Sequence, residues 1–233
     1  MRAVRLCNAL QSRWPAKLSG LSLLCCAAVW SAGTDPVFDD TRLHAGAKLA
    51  GSRAQHATER LLPLLRSARA QPPRDQLHAV NRFFNEQLRF APDKEVWAVE
   101  DHWASPLQAL QQGAGDCEDY AIAKYFSLLA AGMPAARLRL VYVRARLPDG
   151  SAQAHMVLAY HGGGDGDEAG VLILDNLIDE IEPASRRVDL SPVFSFNSEG
   201  LWEGVGPVAA GSPLLRLTRW RDVMARARAE GFP

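Results

Sequence analysis

The stretch GAGDCEDYAIAKYFSLLAAG, Gly113 to Gly132, decides how the rest of the chain is read. From Cys117 to Ala131 its spacing predicts a helix. Ile122, Phe126 and Leu129 form one apolar stripe, joined by Ala121, Tyr125 and Leu128 along its flank. Gly132 is placed to close that helix, and Pro134 lies just beyond its end. The first turn sets one thiol among three carboxylates, Asp116, Glu118 and Asp119. Unpaired N–H groups and the helix dipole favour an anion there, which lowers a thiol's pKa and produces thiolate, the nucleophilic form. The neighbouring acids oppose this, because like charges disfavour ionisation. A reactive Cys117 therefore needs a group that neutralises the acids, or a strong base beside it. The other reading is a buried cysteine at a helix start whose acids merely suit the first turn, Asp116 as its cap.

The bulk composition allows a single soluble domain. The chain has 233 residues, 48% of them hydrophobic and 22% charged, enough for one good core. Its first 33 residues carry Arg2, Arg5, Arg13 and Lys17 and no acid. An apolar run from Leu18 to Trp30 follows, then the small residues Ser31, Ala32 and Gly33. That order predicts a secretory signal peptide, residues 1–33, cleaved near Ala32 or Gly33, and a single domain over 34–233. As a helix the apolar run rises only about 20 Å, short of the roughly 30 Å hydrocarbon core, which argues against a lasting membrane anchor. Cleavage leaves 22 basic and 26 acidic residues, a net charge of −4, with no basic stripe for nucleic acid. It also removes Cys7, Cys25 and Cys26, so the exported chain keeps Cys117 alone, and a lone cysteine cannot close an internal disulfide.

Along the chain, Phe38 to about Ala70 has helical spacing interrupted by Pro63. Asp75 is placed to cap a helix running to about Leu88, and APDKEVWAVEDHWASP (residues 91–106) reads as irregular. Ser105 and Pro106 signal a short helix that ends at Gly113. Three strand-like runs follow, at 137–145, 154–160 and 171–177, joined by the turn compositions LPDG and HGGGDGDEAG. A Pro/Ser/Gly-rich loop then leads to a closing helix near Leu214 to Ala229, with Leu217, Trp220, Met224 and Ala227 facing inward. The expected class is α+β, a central helix carrying the cysteine packed on an antiparallel sheet.

A base for Cys117 must come from six histidines. His44, His56 and His78 fall on amphipathic helices. His155 lies inside an apolar strand, and the next strand carries Asp175 in an equally apolar setting. The two residues are equidistant from a loop centred near residue 165, so an antiparallel hairpin predicts that they touch on one face. Asp175 would then orient the imidazole, and His155 would take the proton from Cys117. His102 is the alternative base. Backbone N–H of Cys117 is the natural first oxyanion donor, and the indole of Trp103 is a candidate for the second.

The segments WASPLQALQQGAGDCEDYAIAKYFSLLAAGMPAARLRLVYV, HMVLAY and LDNL resemble the LapG-type bacterial transglutaminase-like cysteine proteinases. The resemblance is close from Trp103 to Leu177. It implies a papain/transglutaminase-like fold, a Cys117–His155–Asp175 triad, a periplasmic location and dependence on Ca²⁺. It also implies a substrate and a regulator. Such proteases clip the N-terminal region of a large surface adhesin, typically at paired alanines, which loosens the biofilm, and an inner-membrane cyclic-di-GMP receptor sequesters them. The implied calcium ligands are Asp116, Glu118 and Asp119, whose hard oxygens suit the ion and whose charge it would cancel. GGGDGDEAG matches no complete EF-hand loop. Two other functions are compatible with the same residues: acyl transfer to an amine, and a non-catalytic periplasmic protein that binds a peptide or receptor.

Overall fold

The computed structural model describes residues 37–162 and 170–233. The leader with its expected cleavage site, and the tip of the 162–170 loop, lie outside the described residues. The elements begin with helices α1 (Asp40–Ala50), α2 (Ser52–Ala68) and α3 (Pro73–Gln87), then strand β1 (Arg89–Phe90). Helices α4 (Asp93–Val96) and α5 (Pro106–Gln112) precede β2 (Ala114–Gly115) and the central helix α6 (Cys117–Ala130). Strands β3 (Leu138–Arg146), β4 (Ala152–His161), β5 (Val171–Leu174) and β6 (Glu182–Pro183) follow. The chain ends with β7 (Leu190–Phe196), β8 (Leu201–Glu203), β9 (Ala209–Gly211), α7 (Pro213–Arg216) and α8 (Thr218–Ala229).

Helix α6 is buried on every side rather than along one stripe: each residue from Asp119 to Leu128 is inaccessible. It is packed between α2, α3 and α5 on one flank and β3 and β4 on the other. The main core therefore joins Leu61, Leu77 and Leu110 of the helices to Ile122 and Phe126 of α6 and to Leu140, Leu158 and Leu172 of the sheet. A smaller cluster, Val141, Val143, Val157, Ala159 and Ile173, covers the opposite sheet face. Helix α6 closes as its sequence predicts. Gly132 (φ +92°) donates to Leu129 O and Met133 to Leu128 O, a Schellman arrangement.

Among the described residues one antiparallel sheet has the order β6-β5-β4-β3-β7-β8-β9. Sequence reading found β3, β4 and β5 but took the tail before the last helix as loop, whereas that tail supplies β6 to β9. Pro192 hides the longest of them. It pairs with Val143 of β3 just where that register shifts, and lies outside the Phe194–Phe196 stretch that pairs with β8. Its missing N–H therefore removes no bond to β8.

Three boundaries move. The first helical region breaks at Gly51 (φ +110°), not at Pro63, which sits inside α2 on its exposed side. There the carbonyl of Glu59 that loses its helical partner can be hydrated. Helix α3 starts at Pro73, so Asp75 lies in its first turn instead of capping it. The closing helix is broken at Leu217, which is half-buried, while Trp220, Met224 and Ala227 of α8 face inward as expected.

Strand β1 runs parallel to β2, pairing Arg89 with Ala114 and Phe90 with Gly115, and so holds the approach to α6 against the end of α3. The start of α5 is anchored from the far end of the chain. Glu230 accepts from the Leu107 N–H at 3.1 Å and from the Ser105 hydroxyl. Burial pushes the Glu230 carboxyl up to about 7, against the opposing pull of those hydrogen bonds. Its folded pKa thus lies above its unfolded one, so the stability it contributes is complete below about 4.5 and is lost as pH rises through about 7. Thermal denaturation of wild type and Glu230→Gln from pH 4.5 to 8 should show the variant gaining on wild type as pH rises. Parallel pH profiles would refute the assignment.

Candidate active site

Cys117 occupies the first position of α6, half-buried, with Asp116 at the cap. Its thiol donates to the Glu118 carboxylate at 3.0 Å. Burial first, and then the charges of Glu118 and Asp116, push the thiol well above its ordinary range; the Met156 backbone N–H pulls the other way. Met156 follows His155 along β4. No hydrogen bond joins Cys117 to His155 among the described residues.

His155 and Asp175 do meet. His155 Nε2 lies 2.8 Å from Asp175 Oδ1, with only 2% and 1% of the two residues exposed. The expected register is corrected by two positions. Leu158 pairs with Leu174, which centres the hairpin on residue 166, so Asp175 falls opposite Val157 rather than His155. Strand β5 also stops at Leu174, not Leu177. Asp175 begins the turn beyond it, and its Oδ1 accepts from the N–H groups of Asn176 (2.7 Å) and Leu177 (3.1 Å). The contact with His155 is diagonal, within the reach of side chains displaced by two along an antiparallel pair. Burial alone would raise the Asp175 carboxyl. The hydrogen bond and charge of His155, the turn amide and Arg187 outweigh it and hold the group far below the usual carboxylate range.

The acids around Cys117 number more than sequence reading found. Asp93 and Asp101 join Asp116, Glu118 and Asp119. Ligand oxygens of Asp93, Asp116 and Asp119 lie within 4.8 Å of one another, as do those of Asp93, Asp101 and Glu118. Asp119 is fully buried; its Oδ1 accepts from Ala104 N–H at 2.7 Å, and its Oδ2 has no partner. Asp93 accepts from His102 N–H through one oxygen and leaves Oδ1 buried and unpartnered; Asp116 Oδ1 is also an orphan. Asp101 sits at the rim, paired with Arg219 at 3.1 Å. Burial, added to by neighbouring acids, pushes Asp93 up to about 6 and Asp116 and Asp119 well above the carboxylate range. Such oxygens are costly without a cation and suited to a hard one, since Ca²⁺ takes six to eight oxygen ligands. The only trace of Asp93 and Asp101 in the sequence was the acid content of an apparently irregular segment, 24 and 16 residues before the cysteine.

Trp103 stacks on Phe196, ring centroids 5.6 Å apart and planes 14° from parallel, at the edge of the main core. Its indole N–H takes no partner among the described residues. His102 packs on Trp97 instead of approaching the thiol through a hydrogen bond.

The model of a family described as bacterial transglutaminase-like cysteine proteinase matches residues 58–188. The chain belongs to that family. No curated protein matches it. Among solved structures it is similar to Legionella pneumophila LapG, at 36% identity in each of three forms. The EGTA-treated form covers 83% of this chain and 100% of its own, with a TM-score of 0.71. The calcium-bound form covers 81% and 98%, with a TM-score of 0.67. A further LapG structure covers 83% and 99%, at 0.68. The mixed helix-and-sheet architecture is thus the transglutaminase-like fold, with Cys117 on its central helix.

In this family member Gly115 is required by space alone. A Cβ there would lie 2.5 Å from Asp119 Oδ2 and 2.7 Å from Asp119 Cβ. Gly115→Ala should therefore displace Asp119 from Ala104 and destabilise the fold by about 1–3 kcal/mol, the usual cost of overpacking. Thermal denaturation measures it, and an unchanged Tm would show that Asp119 is free to move.

Proposed function

We propose that the chain is a periplasmic, calcium-dependent cysteine endopeptidase that cuts the N-terminal region of a large surface adhesin and so promotes biofilm dispersal. An inner-membrane cyclic-di-GMP receptor would hold it in check. The observation that carries the reading is the buried His155–Asp175 pair, in a chain of a cysteine proteinase family that sets a cysteine at the start of its central helix. No helix among the described residues is long and apolar enough to cross a membrane, which suits an exported enzyme working outside the bilayer.

In this reading Asp175 holds His155 through Nε2, leaving Nδ1 to accept the Cys117 proton. The thiolate attacks the scissile carbonyl carbon, and the amide C–N bond breaks. His155 returns the proton to the leaving amine, then takes one from the water that hydrolyses the thioester. The Cys117 N–H and the Trp103 indole would donate to the oxyanion. Calcium would be held by Asp93, Asp116, Glu118 and Asp119, supplying positive charge where buried acids now suppress thiol ionisation. Glu118, which accepts from the Cys117 thiol, would be among the residues that hold the ion.

Cys117→Ala should reduce cleavage of an adhesin fragment containing paired alanines to background while keeping the fold; persistent cleavage would sink the assignment of the nucleophile. Calcium at a hundred times its Kd should stabilise the protein by about 2.7 kcal/mol. Asp93→Asn or Asp116→Asn should remove most of that gain together with activity. Full activity in excess chelator would rule the metal out.

A further inference from the structure

Two buried basic side chains converge on Asp175, and the triad chemistry uses neither directly. Arg187, 6% exposed, comes from the turn between β6 and β7 and donates through one terminal nitrogen to Asp175 Oδ2 at 2.8 Å. The same guanidinium binds Asp189 through Nε (3.0 Å) and that terminal nitrogen (2.7 Å), so Asp189 braces it. Lys124, 1% exposed, lies in the middle of α6 and donates to the Asp175 carbonyl at 2.9 Å. Asn85 of α3 donates to that carbonyl at 3.0 Å.

Apolar residues of similar volume usually stabilise a core as well as a buried charge does, or better. The retention of Lys124 at the centre of the most buried helix therefore calls for a benefit other than stability. Its placement supplies one. Lys124 lies seven residues after Cys117 on one rigid helix, about 10 Å along its axis. The helix that carries the nucleophile thus also grips the backbone of the residue that orients the base. Arg187 completes the grip from the opposite side by occupying the carboxylate oxygen that His155 leaves free. With Oδ1 taken by His155 and two turn amides and Oδ2 by Arg187, the carboxylate cannot rotate without breaking a buried bond.

We propose that Lys124 and Arg187 are positioning residues that clamp Asp175, and through it the His155 ring, in register with Cys117. This rests on the protease reading above. The clamp acts on the alignment of the base and not on substrate binding.

The test compares wild type, His155→Ala, Lys124→Met, Arg187→Gln and Arg187→Lys in the full mature chain with calcium present. Three quantities are read: the rate of Cys117 alkylation by iodoacetamide at neutral pH, kcat and KM on a paired-alanine peptide, and Tm. Wild type should label far faster than His155→Ala. Lys124→Met and Arg187→Gln should each slow labelling and lower kcat by about tenfold or more, the scale for partners that orient a functional histidine. KM should stay unchanged, Lys124→Met should keep or raise its Tm, and Arg187→Lys should recover much of the rate. Should Arg187→Gln fail to fold, Lys124→Met decides the matter, its unchanged labelling and kcat overturning the clamp. Fast labelling of wild type with equally fast labelling and unchanged kcat in Lys124→Met and in a folded Arg187→Gln would overturn the clamp alone. Wild type labelling no faster than His155→Ala would overturn the triad, and the clamp with it.

Discussion

The site is organised by the burial of negative charge at the head of helix α6. Asp93, Asp116 and Asp119 each keep a carboxylate oxygen out of water without a hydrogen-bond partner, and Glu118 shares the thiol of Cys117. Unpaired buried acids lie far from their ordinary ionisation and are costly in either protonation state. The surrounding backbone answers only part of that cost, through the Ala104 and His102 N–H groups. The segment from Asp93 to Ala104 is therefore folded around the cluster, and what it leaves unanswered is a set of hard oxygens in which Asp93 groups with Asp116 and Asp119 and also with Asp101 and Glu118. An electrostatic deficit at this place couples three things: the fold of that loop, the ionisation of the nucleophile, and occupancy by a cation.

A helix buried on all sides makes this arrangement rigid. Helix α6 touches helices on one flank and the sheet on the other, so neither of its ends can move independently of the core. The head carries Cys117, and two turns later Lys124 reaches the Asp175 carbonyl just beyond β5. Cys117, His155 and Asp175 come from three separate elements, yet each belongs to this helix, to a strand packed on it, or to a turn that the helix grips through Lys124. That explains why a chain with short, irregular strands in its second half can still hold a catalytic geometry: precision comes from the rod, and the sheet needs only to supply residues at fixed points along it.

Sequence periodicity revealed the rod, its Gly132 closure, the Ser105–Pro106 helix start and the two central strands, because these are local signals. The union of His155 with Asp175 was also legible, although for a partly wrong reason. Equal spacing about residue 165 implied direct opposition, while the true register makes the contact diagonal and depends on Asp175 leaving the strand. Asp93, Arg187 and Lys124 carried no such signal. A lysine amid Ala, Ile and Tyr reads as the polar face of an amphipathic helix, an arginine after a turn reads as solvated, and an aspartate in an irregular segment reads as surface. Each acquires meaning only through a partner from another element: Asp93 lies 23 residues before Asp116, Lys124 51 before Asp175 and Arg187 12 after it, separations that no short-range pattern encodes.

The two halves of the site differ in their electrostatic state, and this bears on how activity would be controlled. On the base side, the Asp175 charge is answered within the protein by His155, Arg187 and turn amides, so that half is complete as it stands. On the nucleophile side, several acids face one thiol and no lysine or arginine is paired with Asp116, Glu118 or Asp119 among the described residues. A supplement of positive charge therefore has little to alter at His155 and Asp175 and much to alter at Cys117. Control by a cation would then act on whether the thiol ionises, with the base already aligned. The contrast is built into the residues themselves: charge is answered at Asp175 and left unanswered at the head of α6.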